Sequence, residues 1–152
     1  MRRAEVPSAE TKAKEMLRLA GLRWTRPRKE LLLAMMRMKR PATQEELATA
    51  MGSGAPNKVT VYRILESLIE KGSARKLLLK DGLCHYELCA PADQCHPHFS
   101  CLGCGDTACL RGLKPPMPAS PYRGFEIRRQ QVQFEGLCPA CLRKQKGKAE
   151  RN

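Results

Sequence analysis

The chemistry-bearing residues of this chain are its cysteines. All eight lie between positions 84 and 141, so the first half of the chain has none. Four form two close pairs, Cys101-Leu-Gly-Cys104 and Cys138-Pro-Ala-Cys141, with 33 residues between Cys104 and Cys138. Each pair offers two thiolates from one tight turn. Together they can close a tetrahedral thiolate site around zinc, with bonds of about 2.3 Å. Gly103, Gly105, Gly136 and Pro139 supply the turns. Such a site has no open coordination position, so it staples a small domain and does not catalyse.

A second set surrounds the first pair: Cys84, Cys89, Cys95, Cys109, His85, His96 and His98. His96-Pro-His98 presents two imidazoles on one side of an extended stretch, and Cys89 adds a thiolate seven residues earlier. Mixed sulfur and imidazole ligands favour zinc. The alternative is that these are ordinary buried or surface residues. Cys84 faces away from Cys89 on an alternating strand and reads as a packing residue.

Enzyme motifs are missing. A zinc deaminase needs His-x-Glu followed by Pro-Cys-x-x-Cys. Here His85-Tyr-Glu87 is followed by a pair whose proline lies inside it, and Cys101 and Cys104 would have no role. There is no Gly-x-Ser-x-Gly, P-loop or Gly-x-Gly-x-x-Gly. The chain reads as a non-enzyme with no small-molecule substrate.

Several elements must position these residues. Residues 10–20 read as a helix closed by Gly21, and Thr25 with Pro27 opens a second one running to Met38. Thr43-Gln-Glu-Glu46 is a capping box for a third. Asn57 caps a fourth, whose Val61, Ile64, Leu65, Leu68 and Ile69 form one apolar stripe. Two strands, Ala74–Leu79 and Leu83–Cys89, are joined by Lys80-Asp81-Gly82. Four helices and a hairpin make a winged helix-turn-helix. The polar start of the fourth helix, with Lys58, Thr60, Tyr62 and Arg63, is left free for a major groove. Farther on, the prolines from Lys114 to Pro121 exclude a regular helix. Phe125–Arg129 and Gln131–Glu135 read as short strands with Phe125, Ile127 and Phe134 buried. The tail from Leu142 reads as a frayed helix or unstructured.

Charge supports a polyanionic partner. Among 152 residues, 28 are Lys or Arg and 15 are Asp or Glu, a net charge of +13. Residues 1–40 hold 12 basic and 4 acidic side chains, residues 41–90 hold 6 of each, and residues 91–152 hold 10 and 5. Aromatic residues make up 5%, too few for base-stacking platforms. No stretch approaches a membrane span, and Met1–Pro7 lacks the apolar run of a signal peptide, so a reducing cytoplasm and no membrane are expected.

The chain resembles the ferric-uptake-regulator (Fur) family of metal-sensing repressors, and within it the zinc uptake regulator (Zur) branch. The marks are Gly21-Leu-Arg-Trp-Thr-Arg-Pro-Arg28, Val59-Thr-Val-Tyr-Arg63, His85-Tyr-Glu-Leu88, His96-Pro-His98, Cys101-x-x-Cys104 and Gly136-Leu-Cys-Pro-Ala-Cys141. The resemblance implies an α+β homodimer. Residues 1–88 would be the winged helix-turn-helix DNA-binding domain. Residues 89–152 would be a zinc-stapled α/β dimerisation domain with a basic tail. It further implies DNA contacts from Tyr62 and Arg63, with Thr60 and Lys58 beside them and Arg23 near the backbone or minor groove.

Two zinc ions per chain are then expected, one structural on Cys101, Cys104, Cys138 and Cys141, and one regulatory. For the regulatory site the resemblance implies Cys89, His96 and His98. The fourth ligand departs from the family pattern, because the position where members often place Asp or His is Arg75 here. Cys109 is expected instead, with Glu87 in reserve as the match to an iron-regulator ligand. The segment Lys114–Pro121 also departs, since the family usually has a helix there. The expected function is a zinc-responsive repressor of metal-uptake genes acting on double-stranded operator DNA. Alternatives are an iron or peroxide sensor of the same family and a constitutive zinc-ribbon adaptor.

Overall fold

A computed structural model describes residues 7–79, 81–89, 96–116, 120–127 and 130–149, the last three (147–149) by backbone only. The chain divides into two units, Met1–Leu78 with Gly82–Ala92 and Leu79–Asp81 with Asp93–Asn152.

The first unit begins with α1 (Ala9–Leu19), capped by the Ser8 side chain, which accepts from the Thr11 N–H. Gly21 ends it at φ 65°, a left-handed conformation that glycine adopts without steric cost. The Leu22 N–H reaches back to the Leu17 carbonyl at 2.8 Å. α2 (Arg26–Met38) carries Pro27 in its first turn and buries Leu31, Leu32, Ala34 and Met35. β1 (Ala42–Thr43) leads into α3 (Gln44–Met51). The expected capping box is formed. Thr43 N–H donates to Glu46 Oε2 at 2.7 Å, and Glu46 N–H donates to Thr43 Oγ1 at 3.2 Å.

A short 3₁₀ turn, Gly52–Gly54, precedes α4 (Lys58–Glu70), capped by Asn57 as expected. Val61, Ile64, Leu65 and Leu68 face the core, each burial stabilising by about 2 kcal/mol. These stripes meet Ala13, Leu17, Leu47, Ala74 and Tyr86 in one hydrophobic cluster.

β2 (Ala74–Leu78) and β3 (Cys84–Leu88) pair antiparallel, forming the wing hairpin. Lys80 of the expected turn lies outside the described residues. β1 adds a third strand through Ala42↔Tyr86 and Thr43↔His85, giving the order β1-β3-β2. Strand alternation splits the sheet's side chains. Tyr86, Cys84 and Leu88 pack on the core, while Arg75, Leu77, His85 and Glu87 share the other face.

The second unit is built on a sheet of β4 (His98–Cys101), β5 (Thr107–Cys109) and β6 (Gln133–Gly136). β4 is central, antiparallel to β5 and parallel to β6. α5 (Pro139–Ala149) follows, so the chain beyond Leu142 continues a helix. The strand expected over Phe125–Arg129 is reduced to an isolated Tyr122↔Phe125 bridge, with Arg128 and Arg129 outside the described residues. Phe125 is 71% exposed and Phe134 is 42% exposed, where burial was expected. Phe125 lies outside the sheet, and Phe134 stands opposite Phe99 on β4, itself only half-buried. No described helix is long and apolar enough to cross a membrane.

Candidate metal centres and DNA-binding face

The four paired cysteines converge at one end of the second sheet. Cys101 closes β4, and its register partner across the parallel ladder is Gly136. That pairing carries the chain from β6 directly over the first cysteine turn. The Leu102 N–H donates to the Gly136 carbonyl at 2.6 Å, and the turn closes through Gly105 N–H to Cys101 O at 2.9 Å. Cys138 then precedes α5 and Cys141 sits in its first turn. All four Sγ atoms lie within 4.8 Å of one another, with Cys104 and Cys138 at 3.9 Å. Tetrahedral bonds of about 2.3 Å place sulfur atoms about 3.8 Å apart, so the set fits zinc.

Gly103 makes this closure possible. A Cβ there would sit 3.0 Å from Cys141 Sγ and 3.1 Å from its Cβ. Backbone N–H groups also aim at sulfur. Cys138 donates to Cys101 Sγ at 3.2 Å and Gly103 does so at 3.4 Å. The Cys138 N–H is the main reason the Cys101 thiol is drawn down to about 6, against the effect of burial. At Cys104 the Asp106 N–H pulls downward. The Cys101 thiol, burial and the other two thiols outweigh it and push Cys104 up to about 12. Cys141 is pushed up as well, chiefly by the thiols of Cys138 and Cys101 beside it.

A second cluster lies at the start of the same sheet. His98 opens β4 opposite Cys109, the last residue of β5. His96 precedes the fully buried Pro97. The two imidazole rings are 5.0 Å apart, and both histidines are buried. Two contacts fix the backbone there, Leu110 N–H to Pro97 O at 2.9 Å and His98 N–H to Val132 O at 3.0 Å. The ligand atoms of His96, His98 and Cys109 lie within 4.8 Å of one another. Two imidazoles and a thiol suit zinc by donor type.

Glu87 and Cys89 belong to the first unit. Cys89 follows β3, and its N–H donates to the Ser73 carbonyl at 2.9 Å. Glu87 is buried and paired with Arg75, its register partner on β2. Sequence reading treated Arg75 only as a lost ligand. The signal for more was opposite charge at facing positions of a hairpin.

The first turns of α4 form the exposed face expected to meet DNA. Lys58, Tyr62 and Arg63 are exposed and Thr60 is half-buried. Val59, absent from the expected set, is 58% exposed beside them and offers an apolar contact of the kind thymine methyls accept. Gln44 Nε2 donates to the Lys58 carbonyl at 2.5 Å, tying the start of α3 to the start of α4. Arg23 is exposed in the loop before α2, where its carbonyl accepts from Arg28 Nη1 at 2.9 Å.

Residues 19–112 match the model of the ferric uptake regulator family. The chain belongs to this family. The transcriptional regulator FurA of Mycobacterium tuberculosis is 33% identical over 132 residues, 84% of this chain and 88% of that protein. The ferric uptake regulation protein 2 of Mycolicibacterium fortuitum is 32% identical over 133 residues, covering 84% and 90%. Among solved structures, a zinc uptake regulator complexed with zinc and DNA superposes with a TM-score of 0.63 at 23% identity, covering 89% of this chain and 93% of that one. The Vibrio cholerae ferric uptake regulator gives 0.59 at 21% identity, covering 82% and 98%. These structures share the fold, a winged-helix DNA-binding domain with a dimerisation domain. As a member of the ferric uptake regulator family, whose regulators bind operator DNA and form dimers, this protein is a metal-responsive transcriptional regulator and not an enzyme.

Proposed function

We propose that this Fur-family regulator is a zinc-responsive repressor of metal-uptake genes, acting in the cytoplasm and holding two zinc ions per chain. Cys101, Cys104, Cys138 and Cys141 would hold the structural ion. The regulatory ion would take His96, His98, Cys109 and Cys89, with Glu87 as the alternative fourth ligand. The single observation that carries the zinc reading is the donor set His96, His98 and Cys109. A thiol with two imidazoles favours zinc over harder cations.

In this reading residues 1–88 read DNA and residues 89–152 bind metal and dimerise. Lys58, Thr60, Tyr62 and Arg63 would contact the major groove, and Arg23 the flanking backbone or minor groove. Exposed Phe125, Tyr122 and Phe134 are apolar surface that a second copy can cover. Metal favours the DNA-binding arrangement only so far as it binds that arrangement more tightly.

A second reading has one specific support: the curated relatives bear ferric uptake names. Iron would then be the input, with Glu87 as a hard oxygen ligand. Operator binding measured across a free-zinc series separates the two. Repression by zinc predicts tight binding only with the second site loaded, and a stoichiometry falling from two zinc to one in His96→Ala. Equal operator affinity with and without zinc, after chelation that spares the four-cysteine site, would end the zinc reading.

A further inference from the structure

We propose that Val59 is a specificity-determining residue of the DNA-binding unit, one that selects a thymine by its C5 methyl. This rests on the reading above, in which the start of α4 enters the major groove, and adds a contact which that reading does not contain. Val61, Ile64, Leu65 and Leu68 turn one stripe of α4 into the core. At about 100° per residue, Val59 falls nearly opposite that stripe. It is 58% exposed, whereas Val61, two positions on, is 0% exposed. Val59 takes no part in the hydrophobic cluster of this unit. Tyr62 and Arg63, three and four positions later, are exposed on the same face. Single exposed apolar residues are ordinary. Here Val59 and Tyr62 make an apolar pair, bordered by the cations Lys58 and Arg63.

The backbone on both sides of Val59 is held. Gln44 Nε2 donates to the Lys58 carbonyl at 2.5 Å, and the Thr60 N–H donates to Asn57 Oδ1 at 2.8 Å. A β-branched side chain in a helix has one strongly preferred χ1 rotamer, so the two methyls of Val59 are presented in one orientation. The base edges supply the complement. In the major groove they show hydrogen-bond donors and acceptors, and thymine adds its C5 methyl. Valine can neither donate nor accept through its side chain, so that methyl is the group it can select. Cβ atoms at this spacing on a helix lie about 5–6 Å apart. Successive bases of one strand rise about 3.4 Å. The thymine read by Val59 therefore lies within about two base steps of the position read by Tyr62.

The test uses the full-length protein saturated with whichever of Zn2+ or Fe2+ supports operator binding. Duplexes that it binds are selected from a random-sequence pool. Each thymine of the selected site is then replaced in turn by uracil, which lacks only the methyl. At one thymine the wild type should lose about fourfold in affinity, the scale of one buried methyl group. Val59→Ala should bind the thymine duplex more weakly by a similar factor, and uracil at that position should then have no further effect. Alanine is the better helix former, so this variant should fold. Uracil effects that persist undiminished in Val59→Ala, or the absence of any thymine whose methyl matters to the wild type, would overturn the proposal. Tyr62→Ala and Arg63→Ala separate this failure from that of the reading beneath it. If they change the selected sequence while Val59→Ala couples to no methyl, this inference falls alone. If they leave the selected sequence unchanged, α4 does not read DNA and both fall.

Discussion

In the first unit, Leu17, Leu31, Leu32, Leu47, Val61, Leu65 and Leu68 are all but closed to solvent. Among the described side chains of residues 96–146, the buried ones are His96, Pro97, His98, Ser100 and Cys101. The first unit therefore has an ordinary apolar core, whereas the second surrounds its ligands with little apolar filling. A small unit without such a core gains its folding energy from a staple. Burying leucines and closing a metal site are two solutions to the same entropy problem, and only the second responds to the chemical environment.

The largest effect should come from removing that staple. Cys138→Ser, or stripping zinc with a strong chelator, forfeits metal-binding energy on the order of 10 kcal/mol. The second unit should become protease-sensitive and the dimer should dissociate, while the helical circular dichroism of the first unit persists. Simultaneous loss of both would show that the units do not fold by separate means. The converse is Leu65→Ala in the core of the first unit. It should cost about 3 kcal/mol of that unit's stability and leave the zinc content unchanged. Calorimetry with metal analysis checks both halves of the statement.

Tyr62→Ala comes next. Its ring is 44% exposed at the start of α4, so truncation should leave stability within about 0.5 kcal/mol. Operator affinity should fall about tenfold, with binding to unrelated DNA little altered. A uniform loss on both DNAs would mean that Tyr62 does not read sequence.

The smallest effect concerns Glu46. Burial raises its carboxyl, but the Arg40 guanidinium and the Thr43 N–H outweigh that and hold it below the usual value of 4.5. A group lowered in the folded state stabilises above its unfolded value and loses that contribution as pH falls through the native one. The Arg40–Glu46 pair is about one-third exposed, so the contribution is about 0.5 kcal/mol after solvent screening. It should be present above pH 4.5 and fade below it. Glu46→Gln should flatten that acid slope in denaturant titrations. An unchanged slope would exclude Glu46 as its source.

The same contrast explains what was legible in the sequence. The α4 stripe, the Thr43–Glu46 box and the hairpin are local patterns, since each partner lies within a few residues of the next. The two cysteine pairs were equally plain because a metal imposes ligand types and spacing. β1 was missed: it is two residues long and pairs with His85 and Tyr86, more than 40 positions away, so no local periodicity marks it. β5 is hidden because it is three residues long, and the parallel β4–β6 pairing because its strands lie far apart in the chain. Phe125 invited a burial reading by its chemistry, yet it lies in an isolated bridge to Tyr122 and is 71% exposed. The pairing of Arg75 with Glu87 needed the register, which side-chain charge alone does not give.

The parallel pairing of β4 with β6 also bears on how this fold can change. Leu110 is fastened to Pro97, and Val132 to His98, through the hydrogen bonds of their backbones. The two ends of the intervening segment are thus pinned to adjacent residues, Pro97 and His98, at the start of β4. Lengthening a segment whose ends are already pinned is inexpensive, about 0.6 kcal/mol for each doubling. The proline-rich stretch lies within it. The fold can accept insertions and deletions there while both metal centres keep their geometry, leaving that segment free to diversify the surface between relatives.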